Sequence, residues 1–166
     1  MEVSVKVTLD RESMSEFMIY HIYTSGIGAA ILALGALNAG FAAAFAVRGE
    51  WIMVLVFAVF AFLLLAGFPF AIRSMVASME GSKRLTEAVE YRFTEEGIQT
   101  ITSERTGQAQ WKRFQKAVQR KHILILYDAQ RHAIILPVAQ MGDRYEQVTA
   151  MIREHMPPAA VRIKNS

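Results

Sequence analysis

The chain has 166 residues, 53% of them hydrophobic, a net charge of +3 and no cysteine. This length leaves room for only one small soluble domain beside any other element, and the missing thiols exclude disulfides, thiolate metal sites and a cysteine nucleophile. The mild basic balance, with a sequence pI ≈ 9.3, suits an anionic lipid surface better than a nucleic-acid groove.

Val3, Val5, Val7 and Leu9 alternate with Ser4, Lys6 and Thr8, a period of two that predicts a short half-buried strand. A lone strand has nothing to pair with, so it is expected to cross back to a sheet made by the C-terminal half. Asp10 or Ser13 is placed to cap a helix from about Ser15 that runs through Phe17, Ile19, Tyr20 and Tyr23 into an apolar region. Tyr20 and Tyr23 then lie where interfacial aromatic anchors lie.

Two apolar stretches follow, 26–47 and 51–72, without a charged side chain in either and with only Arg48, Gly49 and Glu50 between them. Each is about 22 residues long, enough to cross a bilayer core as a helix, so a transmembrane hairpin is predicted. A soluble protein would need more chain than this to cover such a hairpin. The region before the first stretch lacks the basic start and cleavage site of a signal peptide. Lys6 and Arg11 precede the pair, Arg73, Lys83 and Arg84 follow it, and Arg48 alone marks the turn. By the positive-inside rule both termini are expected in the cytoplasm.

Within the first stretch Ala36, Gly40 and Ala44 recur every fourth residue, a small-residue face for close helix packing. Phe57, Phe60, Phe62, Leu63 and Leu64 offer the bulky complement, so packing within the hairpin is the expected use of that face. Asn38 has no polar side chain to meet in the second stretch. It is left either to bond nearby backbone or to bond across a candidate homodimer. Pro69 removes a helix hydrogen bond and predicts a kink between Gly67 and Phe70.

Residues 73–86 read as a juxtamembrane stalk, with the second helix continuing beyond the bilayer. Strand-like segments then alternate with turn signals: 88–93, 98–102, 108–111, 116–121, 122–127 and 132–136. Gly142 and Asp143 open a helix with Tyr145, Val148, Met151 and Ile152 at helical spacing, and Pro157-Pro158 ends it. The expected organisation is an N-terminal strand and helix over 1–25, the hairpin over 26–72, the stalk over 73–86, a cytoplasmic domain over 87–157 and a disordered tail over 158–166. The expected fold class is α+β, a transmembrane hairpin plus a small antiparallel sheet closed by the C-terminal helix.

No catalytic set can be assembled. His21, His122, His132 and His155 never stand at helical ligand spacing, which argues against a metal, and Glu95-Glu96 sit before a turn glycine where solvated carboxylates are usual. No glycine-rich phosphate loop occurs, no cofactor is expected, and the protein reads as no enzyme. The most distinctive polar segment is Trp111-Lys112-Arg113-Phe114, followed by Lys116, Arg120 and Lys121. Either Trp111 and Phe114 anchor a turn while the five cations form a solvated edge, or Lys112, Arg113, Lys116, Arg120 and Lys121 meet anionic lipid or a partner. Nucleic acid is not favoured, because aromatics are not interleaved through the cations.

The order of features resembles the YcxB-like family of bacterial membrane proteins. It is carried by the strand and helix ending in Ile19-Tyr20-His21, the two apolar helices, Tyr91-Arg92-Phe93-Thr94-Glu95-Glu96-Gly97-Ile98, Trp111, and Ile134-Ile135-Leu136-Pro137. The resemblance implies a domain like a bacterial pleckstrin-homology (PH) domain, residence in the bacterial inner membrane, and no catalytic residues. This chain departs after Trp111, where Lys112-Arg113-Phe114 replaces a more polar, acidic turn. The expected function is non-enzymatic: a hairpin-anchored PH-like domain that binds a protein partner or the membrane lipids. The rival is a small oligomeric transporter or channel subunit, for which Asn38 is the only intramembrane support.

Overall fold

The computed structural model describes residues 2–79, 81–130 and 132–163, and the side chains of Lys83 and Arg84 lie outside the described residues with the rest. Two of the cations used to orient the hairpin, Lys83 and Arg84, are therefore not described beyond their backbone. The chain divides into two compact units, one of Met1–Phe17 with Met79–Ser166 and the other of Met18–Ser78.

The first unit is rich in strands. β1 (Val3–Thr8) pairs antiparallel with β2 (Ala88–Phe93) from Val3↔Phe93 to Thr8↔Ala88. β3 (Gly97–Ile101) and β4 (Thr106–Gln110) complete a four-stranded sheet in the order β1-β2-β3-β4. The alternation read at the N-terminus is the burial pattern: Val3, Val5 and Val7 are 4% exposed or less. Gly97 sits where β3 begins. A Cβ there would collide with the carbonyl oxygen of Ala109 and stand 2.8 Å from Cα of Gln110, both backbone atoms that cannot swing aside.

A one-turn 3-10 segment at Trp111–Arg113 then takes the chain off the β4 line. β5 (Phe114–Gln119), β6 (Ile123–Asp128) and β7 (Ala133–Pro137) form a second sheet, in which β6 is buried along its whole length. Two short helical elements follow, α5 (Val138–Met141) and α6 (Arg144–His155), and α6 buries Val148, Met151 and Ile152 in the core with Phe93, Ile98, Leu124 and Leu136. After a 3-10 turn at Pro158–Ala160, β8 (Val161–Arg162) pairs parallel with β5.

This overturns the expected fold class. The strands form two separate four-stranded sheets, β1-β2-β3-β4 and β7-β6-β5-β8, with no hydrogen-bonded ladder joining them. The single antiparallel sheet closed by the C-terminal helix, the PH-like fold that the resemblance implies, is not what the chain makes. Burial of Trp111 (6%) and Phe114 (6%) gives the physical reason, because turning both rings inward requires the backbone to leave β4 rather than continue a ladder. Residues 158–163, expected as tail, add a strand in parallel register.

The second unit holds the long apolar helices. Its first residues end α1 (Arg11–Tyr23), which begins four residues before the predicted start because Asp10 accepts the Ser13 N–H at 2.7 Å. The chain does not run on as one helix. Thr24 bonds the Tyr20 carbonyl, and Ser25 in an extended conformation caps α2 (Gly26–Val47). At the other end Gly49 adopts φ +73, which lets the Glu50 N–H reach back to the Phe45 carbonyl at 3.1 Å.

The returning helix, α3 (Trp51–Ser78), is 28 residues long. It contains a π-helical turn at Leu63–Gly67 in which the Phe68 N–H bonds the Leu63 carbonyl. That widened turn lies just before Pro69, whose ring cannot sit over a regular α-helical carbonyl and which has no N–H to donate. Both α2 and α3 are long and apolar enough to cross a membrane, and only 11% and 6% of their apolar windows are buried.

The helices pack through Phe57, which lies 5.2 Å from Phe41 and stacks on Phe45 at 5.4 Å, and through Gly35, where a Cβ would stand 2.5 Å from Cδ2 of Leu65. The face chosen from the sequence is a different one. Ala36, Gly40 and Ala44 are exposed and no atom lies within 4 Å of a Cβ at Gly40, so packing within the hairpin does not use them. Asn38 donates to the Leu34 carbonyl at 2.8 Å, the nearby-backbone alternative.

Two substitutions separate these close approaches. Gly97→Ala should cost about 1–3 kcal/mol by overpacking against backbone, read as a lower thermal midpoint of the detergent-solubilised protein. Gly40→Ala should leave that midpoint unchanged or slightly raised.

Candidate interaction surfaces

The distinctive Trp111–Lys121 segment begins with a core anchor. Trp111 donates its indole N–H to the Thr94 carbonyl at 2.8 Å and stacks on His155 at 4.9 Å, with Phe93 and Phe114 at 6.2 and 6.3 Å. His155 in turn places Nδ1 at 2.9 Å from the Met151 carbonyl and Nε2 at 3.2 Å from Glu95. Both ring nitrogens thus face oxygen atoms. The Trp therefore ties the β2–β3 turn to the end of α6.

Lys112 and Arg113 stand exposed at the start of β5, while Arg120 and Lys121 stand exposed beyond its end. A strand of that length separates the two pairs by roughly 20 Å. Lys116, half-buried, lies between them and has a partner of its own. The five cations are not gathered into one patch, and besides Lys116 two more are engaged: Arg113 with Asp128 at 3.2 Å and Arg120 with Glu16 at 4.0 Å.

Asp128 is a structural centre that the sequence reading passed over. It is 7% exposed, and its Oδ1 accepts the N–H groups of Gln130 and His132, both at 2.8 Å. Its Oδ2 meets Arg113 and the His132 ring at 3.2 and 3.1 Å. Burial raises the carboxyl, but the His132 ring and the two turn amides outweigh it and hold the group below its ordinary value of 3.8. An Asp at the head of a turn followed by Ala-Gln is a legible signal for this role.

Glu16 forms a second centre. Its two oxygens accept the Lys121 and His122 N–H groups, each at 3.0 Å, and Oε2 lies 3.2 Å from Nδ1 of His122. Glu12, one helical turn earlier, faces Nε2 of the same ring at 3.4 Å. Phe17 stacks on Tyr127 at 6.4 Å beside this contact. No local signal marks Glu16, because its partners are more than 100 residues away in the chain.

A cavity of about 270 Å³ is lined by Gly107, Gln108 and Ala109 of β4 together with Phe114, Asp128 and Ile134 of the second sheet. Among the described residues no group of three or more His, Asp or Glu side chains could hold a metal ion. The polar clusters cap turns and join elements, and no nucleophile is paired with a base in them.

Comparison with known proteins agrees with part of the resemblance: residues 93–152, from the end of β2 to the last turn of α6, match the YcxB-like protein family. No curated protein and no solved structure matches the chain.

Glu16→Ala leaves two turn amides without an acceptor and should cost about 1–3 kcal/mol, whereas Glu12→Ala, at a 69% exposed side chain, should stay within about 0.5 kcal/mol; chemical denaturation of both variants checks the contrast. Because the folded Asp128 carboxyl is held low, its contribution is present above the unfolded value of 3.8 and fades as pH falls through the folded one. Asp128→Asn should therefore lower the thermal midpoint at neutral pH, with the gap to the parent narrowing below about pH 4.

Proposed function

We propose that the protein is a non-enzymatic integral membrane protein of the bacterial inner membrane, whose β-rich unit binds a protein partner. The observation that carries the membrane part is the exposure of α2 and α3. Val47 is 90% exposed, Ile52 78%, Ile27 70% and Phe70 73%, and apolar side chains on helices of this length suit lipid. Lys6 and Arg11 before α2 and Arg73 in the last turns of α3, against Arg48 alone at the turn, support termini in the cytoplasm. We extend the YcxB-like resemblance over the whole chain on the same order of elements.

For the β-rich unit, the division of the five cations between two ends of β5 favours a protein partner over an anionic lipid surface. Each exposed cation close to such a surface contributes about 1 kcal/mol, and that sum requires them on one side. Lys112 and Arg113 keep the lipid reading as the second one, since they are adjacent and exposed. The channel reading has no comparable support, because Asn38 donates its side-chain N–H to the Leu34 carbonyl of its own helix.

The chain has no cysteine, so single introduced thiols report topology cleanly. In intact spheroplasts Glu50→Cys should react with an impermeant maleimide, while Gln115→Cys should react only after lysis; the reverse pattern would sink the orientation. Lys112→Gln combined with Lys121→Gln should leave the set of co-purifying proteins unchanged, and its loss together with loss of binding to anionic vesicles would favour lipid instead.

A further inference from the structure

The cavity lined by β4 and the second sheet owes its space to a missing side chain. Ile98 pairs with Ala109 and Thr100 with Gly107, so these four residues share one face of the first sheet. At Ile98 that face is fully buried, but at the next pair Thr100 is half-buried and Gly107 exposed. A Cβ at Gly107 would meet no atom within 4 Å. The core-facing side of the sheet therefore gives way to a hollow, with Ala109, Phe114, Ala133 and Ile134 as its apolar lining. Phe114 is 6% exposed and packs edge-on against Trp111 at 6.3 Å, which fixes that wall.

The polar side of the cavity has donors to spare and no acceptor to match them. Asp128 takes two turn amides on Oδ1 and faces Arg113 Nε and the His132 ring with Oδ2, which fills the capacity of a carboxylate. It is the only acidic side chain in the lining among the described residues. Arg113 spends Nε alone on it, and its two terminal nitrogens have no protein partner among the described residues. A guanidinium held at Nε is turned before anything binds, so a ligand that uses its other end has less ordering to impose.

We propose that this cavity binds a small carboxylic acid with a compact apolar tail. The carboxylate pairs with the terminal nitrogens of Arg113, and the tail lies against Phe114 and Ile134 in the space that Gly107 leaves. This site is separate from the protein-binding reading and stands without it. Arg and carboxylate form a bidentate pair, which two adjacent nitrogens allow. The volume of about 270 Å³ equals that of about nine waters, so the acid has on the order of ten non-hydrogen atoms. Such a space is at the small end for ligand pockets and does not enclose a nucleotide or a whole lipid.

The test is equilibrium dialysis of labelled phenylacetate, an acid of about this size, against the full chain in lipid nanodiscs, with empty discs as the blank. Binding should saturate at one molecule per chain. Phenylacetamide, which keeps the shape and loses the charge, and acetate, which keeps the charge and loses the tail, should each bind at least tenfold more weakly. Gly107→Val puts methyl groups into the open space and should weaken phenylacetate at least tenfold at an unchanged thermal midpoint. Arg113→Gln should weaken it as much, whereas Lys121→Gln, beyond the other end of β5, should not. No saturable binding, full binding by folded Gly107→Val, or equal binding of phenylacetamide would each overturn the proposal. A peptide ending in phenylalanine that binds more tightly than phenylacetate would also overturn it, in favour of capture of a protein terminus.

Discussion

Everything in the β-rich unit depends on one pairing, that of β1 with β2 across the inserted apolar hairpin. Val3, Val5 and Val7 enter the core only because Ala88–Phe93, separated from them by the whole of α2 and α3, returns to supply the ladder. The six-residue strand would be unpaired otherwise, and a lone strand is not stable in water. The hairpin is thus an insertion within one sheet. The constraint works in both directions: a chain that fails to return from α3 loses its first sheet edge.

Around that pairing, a few carboxylates join what the ladders do not. Glu16 spends both oxygens on the amides of the β5–β6 turn, Asp128 closes the β6–β7 turn and collects Arg113, and Trp111 with His155 and Glu95 links the β2–β3 turn to α6. Each is a charged or aromatic group aimed at backbone polar groups that would otherwise lack a partner. Two members of the basic segment are consumed in this way, which is why five nearby cations in sequence do not amount to one cationic surface.

Much was legible before the fold was known. The alternation at Val3 to Thr8, the length of the two apolar runs and the helical spacing from Tyr145 to Ile152 all follow from neighbours a few residues apart. The buried run Ile123–Asp128 read as a central strand for the same reason. The division into two sheets was not legible, because it depends on Trp111 and Phe114 turning inward together. Nor was the unused face of Ala36, Gly40 and Ala44: small residues announce that a close approach is allowed, and Gly35 shows that the partner helix took the neighbouring row.

By itself, then, the sequence determined most of the helices and strands and which runs are long and apolar enough to cross a membrane, since period and length are properties of the local chain. The tertiary structure alone decided which strands share a ladder, that residues after the last helix add β8 beside β5, that Glu16 caps a turn more than 100 residues away, and that β4 keeps one edge open. Those choices turn on which backbone donors and acceptors remain unpaired after the core is filled, and no local pattern of side chains records them.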